Sequence, residues 1–146
     1  MPSWTAEARR FLETHRVGHL ATASADGAPH VVPVCYAIDD DTLYFVADAK
    51  PKRRPARELV RLRNLRANPR AAVVVDDWAE DWTRLAFVLV RGPAREITDP
   101  FAHAAALRLL RTRYPQYAAM PLDDVIEHPV IGIAPERVVL WRAMRG

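Results

Sequence analysis

Lysine is nearly absent from this chain. Of its 21 basic side chains only Lys50 and Lys52 are lysines, both in the tripeptide Lys50-Pro51-Lys52; the rest are arginines. Cysteine is scarcer still. A single residue, Cys35, excludes an internal disulfide framework, and its apolar, strand-like surroundings mark it as a small buried side chain rather than a nucleophile. The few glycines form no dinucleotide-binding fingerprint, and no serine is framed as a nucleophile elbow. Metal-ligand patterns are missing as well. His15 and His19 are separated by Val17-Gly18, which ends any helix between them, and Asp39-Asp40-Asp41 lacks the downstream Gly and Glu of a calcium loop. No apolar run approaches the ~20 residues of a membrane span, and Met1-Pro2-Ser3-Trp4 shows no charged-then-apolar signal. The expectation is a soluble, cytoplasmic protein.

What is present begins with placed charge. The chain has 146 residues, half of them hydrophobic, which fits one domain (1–146) burying about 70% of its unfolded surface. Residues 50–70 hold nine basic side chains against one acid, Glu58, a local charge of +8 where the whole chain carries +3. Three readings compete for this segment. It is the solvated face of an arginine-rich helix, a grip for the phosphate of a small anionic ligand, or a nucleic-acid footprint. Compact lysine ammonium groups bind phosphate as point charges, whereas arginine favours planar bidentate partners. Aromatic residues do not interleave with the basic ones as single-strand binding would favour, so nucleic acid ranks last.

The hydrophobic pattern predicts an opening helix capped by Ser3 or Thr5, with Trp4, Ala8, Phe11 and Leu12 on one face. Strands follow at about Val17 to Ser24, His30 to Ile38 and Thr42 to Ala49, joined by turns at Asp26-Gly27 and Asp39-Asp40-Asp41, as an antiparallel meander. Pro33 implies an edge position or a bulge in the second of these. A helix is expected from Arg57 to Arg66, stopped by Asn68-Pro69. Next come a buried strand, Ala71 to Val75, and a loop, Asp76 to Trp82, with two tryptophans. Leu85 to Val90 is a strand continuing past Gly92-Pro93 to Ile97. Asp99 caps a helix with Pro100 at its first position, running to about Arg113. Pro121 to His128 reads as a short helix or turn, and Val130 to Ile133 and Arg137 to Trp141 as closing strands. Six or seven antiparallel strands with two or three helices point to a small β-barrel with peripheral helices.

Within this frame Lys50 and Lys52 follow a strand end and precede a helix start near Pro55, whose free N–H groups and adjacent cations would make an anion site. Trp78 and Trp82 either cover a flat heterocycle or cap the barrel end. His30 reads as a half-exposed strand residue.

The pattern resembles the pyridoxamine 5'-phosphate oxidase-like split β-barrels, in the branch of F420-dependent (5-deazaflavin) oxidoreductases. The resemblance is carried by Gly18-His19-Leu20-Ala21-Thr22, by Asp26-Gly27-Ala28-Pro29-His30 with Pro33-Val34, and above all by Asp48-Ala49-Lys50-Pro51-Lys52. Leu62-Arg63-Asn64-Leu65, Asn68-Pro69-Arg70, Val75-Asp76-Asp77, Asp81-Trp82 and Val90-Arg91-Gly92-Pro93-Ala94 continue it; the match is weakest from Thr98 to Asp124. It implies a mainly β fold, a six-stranded antiparallel split barrel of the FMN-binding type, dimerising with its cofactor at the subunit interface. It also implies hydride transfer between coenzyme F420 and a small conjugated substrate, with FMN as the alternative cofactor and a flavin or haem carrier as the alternative role. Lys50 and Lys52 would contact the cofactor phosphate, with Arg57 or Asn64 near it. Pro33, Val34 and Cys35 would lie against the ring, and Asp76, Trp78 and Trp82 would line the tail or substrate side. Trp141 would approach the partner subunit, and no side chain is marked as a catalytic acid or base. The chain is short for a pyridoxamine phosphate oxidase and lacks that enzyme's arginine-rich ending, which argues against oxidation of vitamin B6.

Overall fold

The computed structural model describes residues 3–48 and 55–144. Helix α1 (Ala6–Thr14) is capped by Thr5, whose Oγ1 accepts from the Ala8 N–H at 3.1 Å. Its buried residues, Ala8, Phe11 and Leu12, join Trp4 in the core. Strands β1 (Gly18–Ala23) and β2 (Pro29–Val34) form a hairpin. Gly27 at its turn has φ of 88°, a conformation that favours glycine.

The expected strand from His30 to Ile38 is broken. β2 ends at Val34, and after Cys35-Tyr36 the chain resumes as β3 (Ala37–Ile38), which pairs with β4 (Leu43–Val46) instead of β1. The break is needed because the two pieces lie at opposite ends of the strand order β2-β1-β5-β6-β7-β4-β3. One bent segment thereby joins the two ends of the curled sheet. Strand β5 (Arg70–Asp77) extends into the expected loop, and β6 (Ala86–Glu96) runs unbroken for 11 residues. β7 (Val130–Ile133) and β8 (Arg137–Arg142) both pair with β6, on successive stretches of it. Counted through their bends, β2/β3 and β7/β8 bring the eight segments to the six strands of a split barrel.

Gly92 marks where the β7–β8 bend crosses β6. A Cβ there would stand 1.9 Å from the carbonyl oxygen of Ala134, while Ala134 and Glu136 donate backbone hydrogen bonds to Pro93 and Arg91.

The basic segment departs from expectation. Its helical part is a single 3-10 turn, Ala56–Glu58, followed by α2 (Val60–Ala67), so the α-helix starts five residues later than the expected position near Pro55. α2 packs on β1 through Leu62, Asn64 and Leu65. α3 (Pro100–Arg113) has the expected Asp99 cap, with Oδ2 accepting from the Ala102 N–H at 2.9 Å. It buries Ala106, Leu107 and Leu110 against Val46, Ile97 and Val130, outside the main barrel core. Pro121 to His128 forms turns without a helix.

Alternation separates the two faces of the five strands β2-β1-β5-β6-β8. Leu20, Val73, Val75, Val88 and Val90 point into the core. On the outer face, register aligns Pro33, His19, Val74, Leu89 and Val139 in one row, and Val31, Ala21, Ala72, Arg91 and Arg137 in the next.

Candidate functional site

The site grows from the break in β2/β3. Among the described residues β2 pairs only with β1, and β4 only with β3 and β7, so beyond the Cys35-Tyr36 bend β2 and β4 diverge and the barrel is open between them. Tyr114 of the α3 end fixes the bend. Its hydroxyl accepts from the Tyr36 N–H at 3.0 Å and lies 2.9 and 2.8 Å from the carbonyl oxygens of Tyr36 and Arg16. The fully buried Tyr36 donates its own hydroxyl to the Leu12 carbonyl at 2.6 Å. Burial raises the pKa of that phenol well above its ordinary value, although Arg113 nearby favours the phenolate.

Asp48 lies at the end of this opening, two residues past β4. It is 4% exposed, and its Oδ2 accepts from the Tyr117 hydroxyl at 3.0 Å. Burial and then the charge of Asp48 raise the pKa of Tyr117, which also neighbours the Cys35 thiol. Arg61, on the first turn of α2, completes the cluster. Burial lowers the pKa of its guanidinium, with Asp48 opposing that effect, and its Nε is buried without a hydrogen-bond partner among the described residues. An orphaned guanidinium N–H is costly unless a ligand or water meets it. His30 Nδ1 is a second orphan, on the strand residue opposite Thr22. The Arg61 Nε–H is therefore a buried donor with no acceptor among the described residues, which suits an anionic or oxygen-rich group.

The sequence left Arg61 among the arginines of the 50–70 segment without singling it out, and gave Asp48 and Tyr117 no role. Asp48 stood in the Asp-Ala-Lys-Pro-Lys block that carried the resemblance, and that was the one signal available.

The expected site residues divide. Lys50 and Lys52 lie outside the described residues. Arg57 is half-buried and ion-paired with Glu127. Asn64 is buried, and its Nδ2 donates to Thr22 Oγ1 at 3.0 Å, tying α2 to β1. Pro33, Val34 and Cys35 stand at the other end of β1, beside Gly18 and His19. Cys35 is only half-buried, lining an apolar pocket of about 450 Å³ with Tyr114, Tyr117 and Met120; the bend at Tyr36 leaves it outside the barrel core. Asp76 is on β5 itself, 3.9 Å from His19 Nδ1. Trp78 and Trp82 are each 67% exposed, which removes the reading that they cap the barrel end. Along β1 the Asn64 contact at Thr22 and the Pro33–Cys35 end are four residues apart, about 13 Å at the rise of a strand.

The sequence profile described as pyridoxamine 5'-phosphate oxidase matches residues 4–142, nearly the entire chain. The chain belongs to the pyridoxamine 5'-phosphate oxidase family. Among its relatives, a 5a,11a-dehydrotetracycline/5a,11a-dehydrooxytetracycline reductase of Streptomyces rimosus is 30% identical over 132 residues, covering 90% of this chain and 78% of the reductase. A solved F420 reductase is 28% identical with a TM-score of 0.67, over 90% of this chain and 94% of its own. A FAD-binding protein of Mesorhizobium loti is 30% identical with a TM-score of 0.65, over 92% of each chain. The split barrel seen here is the fold of this oxidoreductase family, and the opening between β2 and β4 is the split itself.

Proposed function

We propose that the protein is an F420-dependent reductase that binds its deazaflavin cofactor in the split and transfers hydride to a small conjugated organic substrate. The observation carrying this reading is the half-buried Arg61 beside Asp48, its Nε without a partner among the described residues; Asp48 stands two residues before Lys50 in the sequence. The F420 reductase and the dehydrotetracycline reductase among the relatives support it. In this reading Lys50, Lys52 and Arg61 hold the cofactor phosphate. Pro33, Val34 and Cys35 present backbone to the ring about 13 Å along the barrel from the Asn64 contact. Asp76, Trp78 and Trp82 border the tail or substrate side. The bound cofactor supplies two-electron hydride chemistry, while the chain binds, orients and excludes water.

The active unit proposed is a homodimer. Val31 is 62% and Trp141 44% exposed on one outer sheet face, where Trp141 stacks on Phe87 at 5.5 Å. With Val74, Leu89 and Val139 between them, they form an apolar surface suited to a second copy.

Titration of the purified protein with F420, FMN and haem tests the assignment. Tighter binding of F420 is expected, and tighter binding of FMN or haem overturns it in favour of a flavin enzyme or a carrier. Arg61→Ala is expected to weaken F420 binding about 10-fold, some 1.4 kcal/mol. Lys52→Ala should lose a comparable amount, as for a charge-assisted hydrogen bond.

A further inference from the structure

Arg91 of β6 and Arg137 of β8 are direct cross-strand partners on the outer face of the sheet. Directly opposed side chains stand about 5 Å apart at Cβ, and like charges so placed destabilise the ladder. Among the described residues neither guanidinium has a carboxylate partner. Both line a recess of about 580 Å³, which also holds Arg70 and a single acid, Glu136. Arg70 and Glu136 are ion-paired with each other, so three arginines against one glutamate leave the recess at +2. The next two residues in the same cross-strand row, Ala72 and Ala21, are small, and they keep the space beside Arg91 open. The volume is that of a small-molecule site. Asp76, a carboxylate on the same outer face, lies toward the far end of β5 and faces His19.

We propose that this recess binds a small dianionic group, a phosphate or a dicarboxylate, held between the Arg91 and Arg137 guanidinium groups. Two guanidinium groups on directly paired residues lining one recess suit contacts to oxyanions, and a dianion matches the charge left over. The site is on the outer sheet face and does not depend on which cofactor occupies the split.

Thermal unfolding and calorimetric titration with inorganic phosphate and with succinate, at constant ionic strength, test it. Wild type and Lys52→Ala should both show a saturable rise in Tm. Arg91→Gln and Arg137→Gln should each bind the anion at least 10-fold more weakly. Without added anion, Arg91→Gln should unfold at a higher temperature than wild type, because the opposed charges are relieved. A response to phosphate alone assigns a phosphate ligand, and a response to succinate assigns a dicarboxylate. Absence of a saturable response in wild type overturns the proposal, as does an equal response in Arg91→Gln. So does loss of a dimer in Arg91→Gln without any anion response, which would assign the pair to a contact between copies.

Discussion

At the scale of single residues, chemistry is governed by which polar groups the fold leaves partnered. Tyr114 satisfies the backbone on both sides of the β2/β3 bend, so Tyr114→Phe strands the Tyr36 N–H in a buried setting. The expected loss of stability is about 1–3 kcal/mol, read by urea unfolding. Tyr36 and Tyr117 give an alkaline signature. Burial raises both phenol pKa values above the ordinary 10.0, so the folded state favours the protonated phenols. Their contribution is complete below pH 10 and is lost as pH rises toward the folded-state values. The Tm should fall above pH 10, and Tyr36→Phe should flatten that fall; an unchanged alkaline profile in the variant would refute the assignment. The lysine pair was conspicuous in the sequence because of composition. Arg61 was not, because an arginine on a helix looks the same whether it faces water or a buried aspartate.

At the scale of elements, caps and turns were the most legible. The Asp99 cap, the Pro100 start and the Asp26-Gly27 turn are local devices whose residues lie within a few positions of one another. Asp99→Ala should cost about 1 kcal/mol through loss of the bond to the Ala102 N–H. The break at Cys35-Tyr36 was not legible. A Val-rich run with one proline reads as a single strand, and what divides it is a competition between β1 and β4 for its two halves, decided by residues far away in sequence. The late start of α2 has a similar cause. Arg57, assigned to the helix by the spacing of its leucines, sits in a 3-10 turn that turns it toward Glu127. At Gly92 even one added carbon collides with the Ala134 carbonyl. Gly92→Ala should therefore disturb the β7–β8 bend and lower Tm by several degrees.

At the scale of the whole molecule, strand count and alternation were enough to indicate a barrel, and the resemblance supplied its split form. The outer face could be recognised as one surface only after register aligned residues from five strands. Val31 and Trp141 are 110 positions apart in sequence, and neither is notable alone. If the proposed dimer uses this face, Val31→Asp should yield a monomer by analytical ultracentrifugation while leaving the far-UV circular dichroism spectrum unchanged; an unaltered dimer would remove this face as the interface.

The connection from β4 to β5 carries both the lysine block and Arg61. β4 and β5 are not neighbours: one pairs with β3 and β7, the other with β1 and β6. The connection therefore leaves one lip of the open seam, β4, and crosses to β5, whose neighbour β1 carries the other lip, β2. A ligand gripped by it and seated against β2 would act as a removable crosslink, added to the single bent segment that joins the two ends of the sheet. Saturation at 100 times Kd would add about 2.7 kcal/mol to global stability, so occupancy of the seam could be followed by heat alone, before any substrate is known.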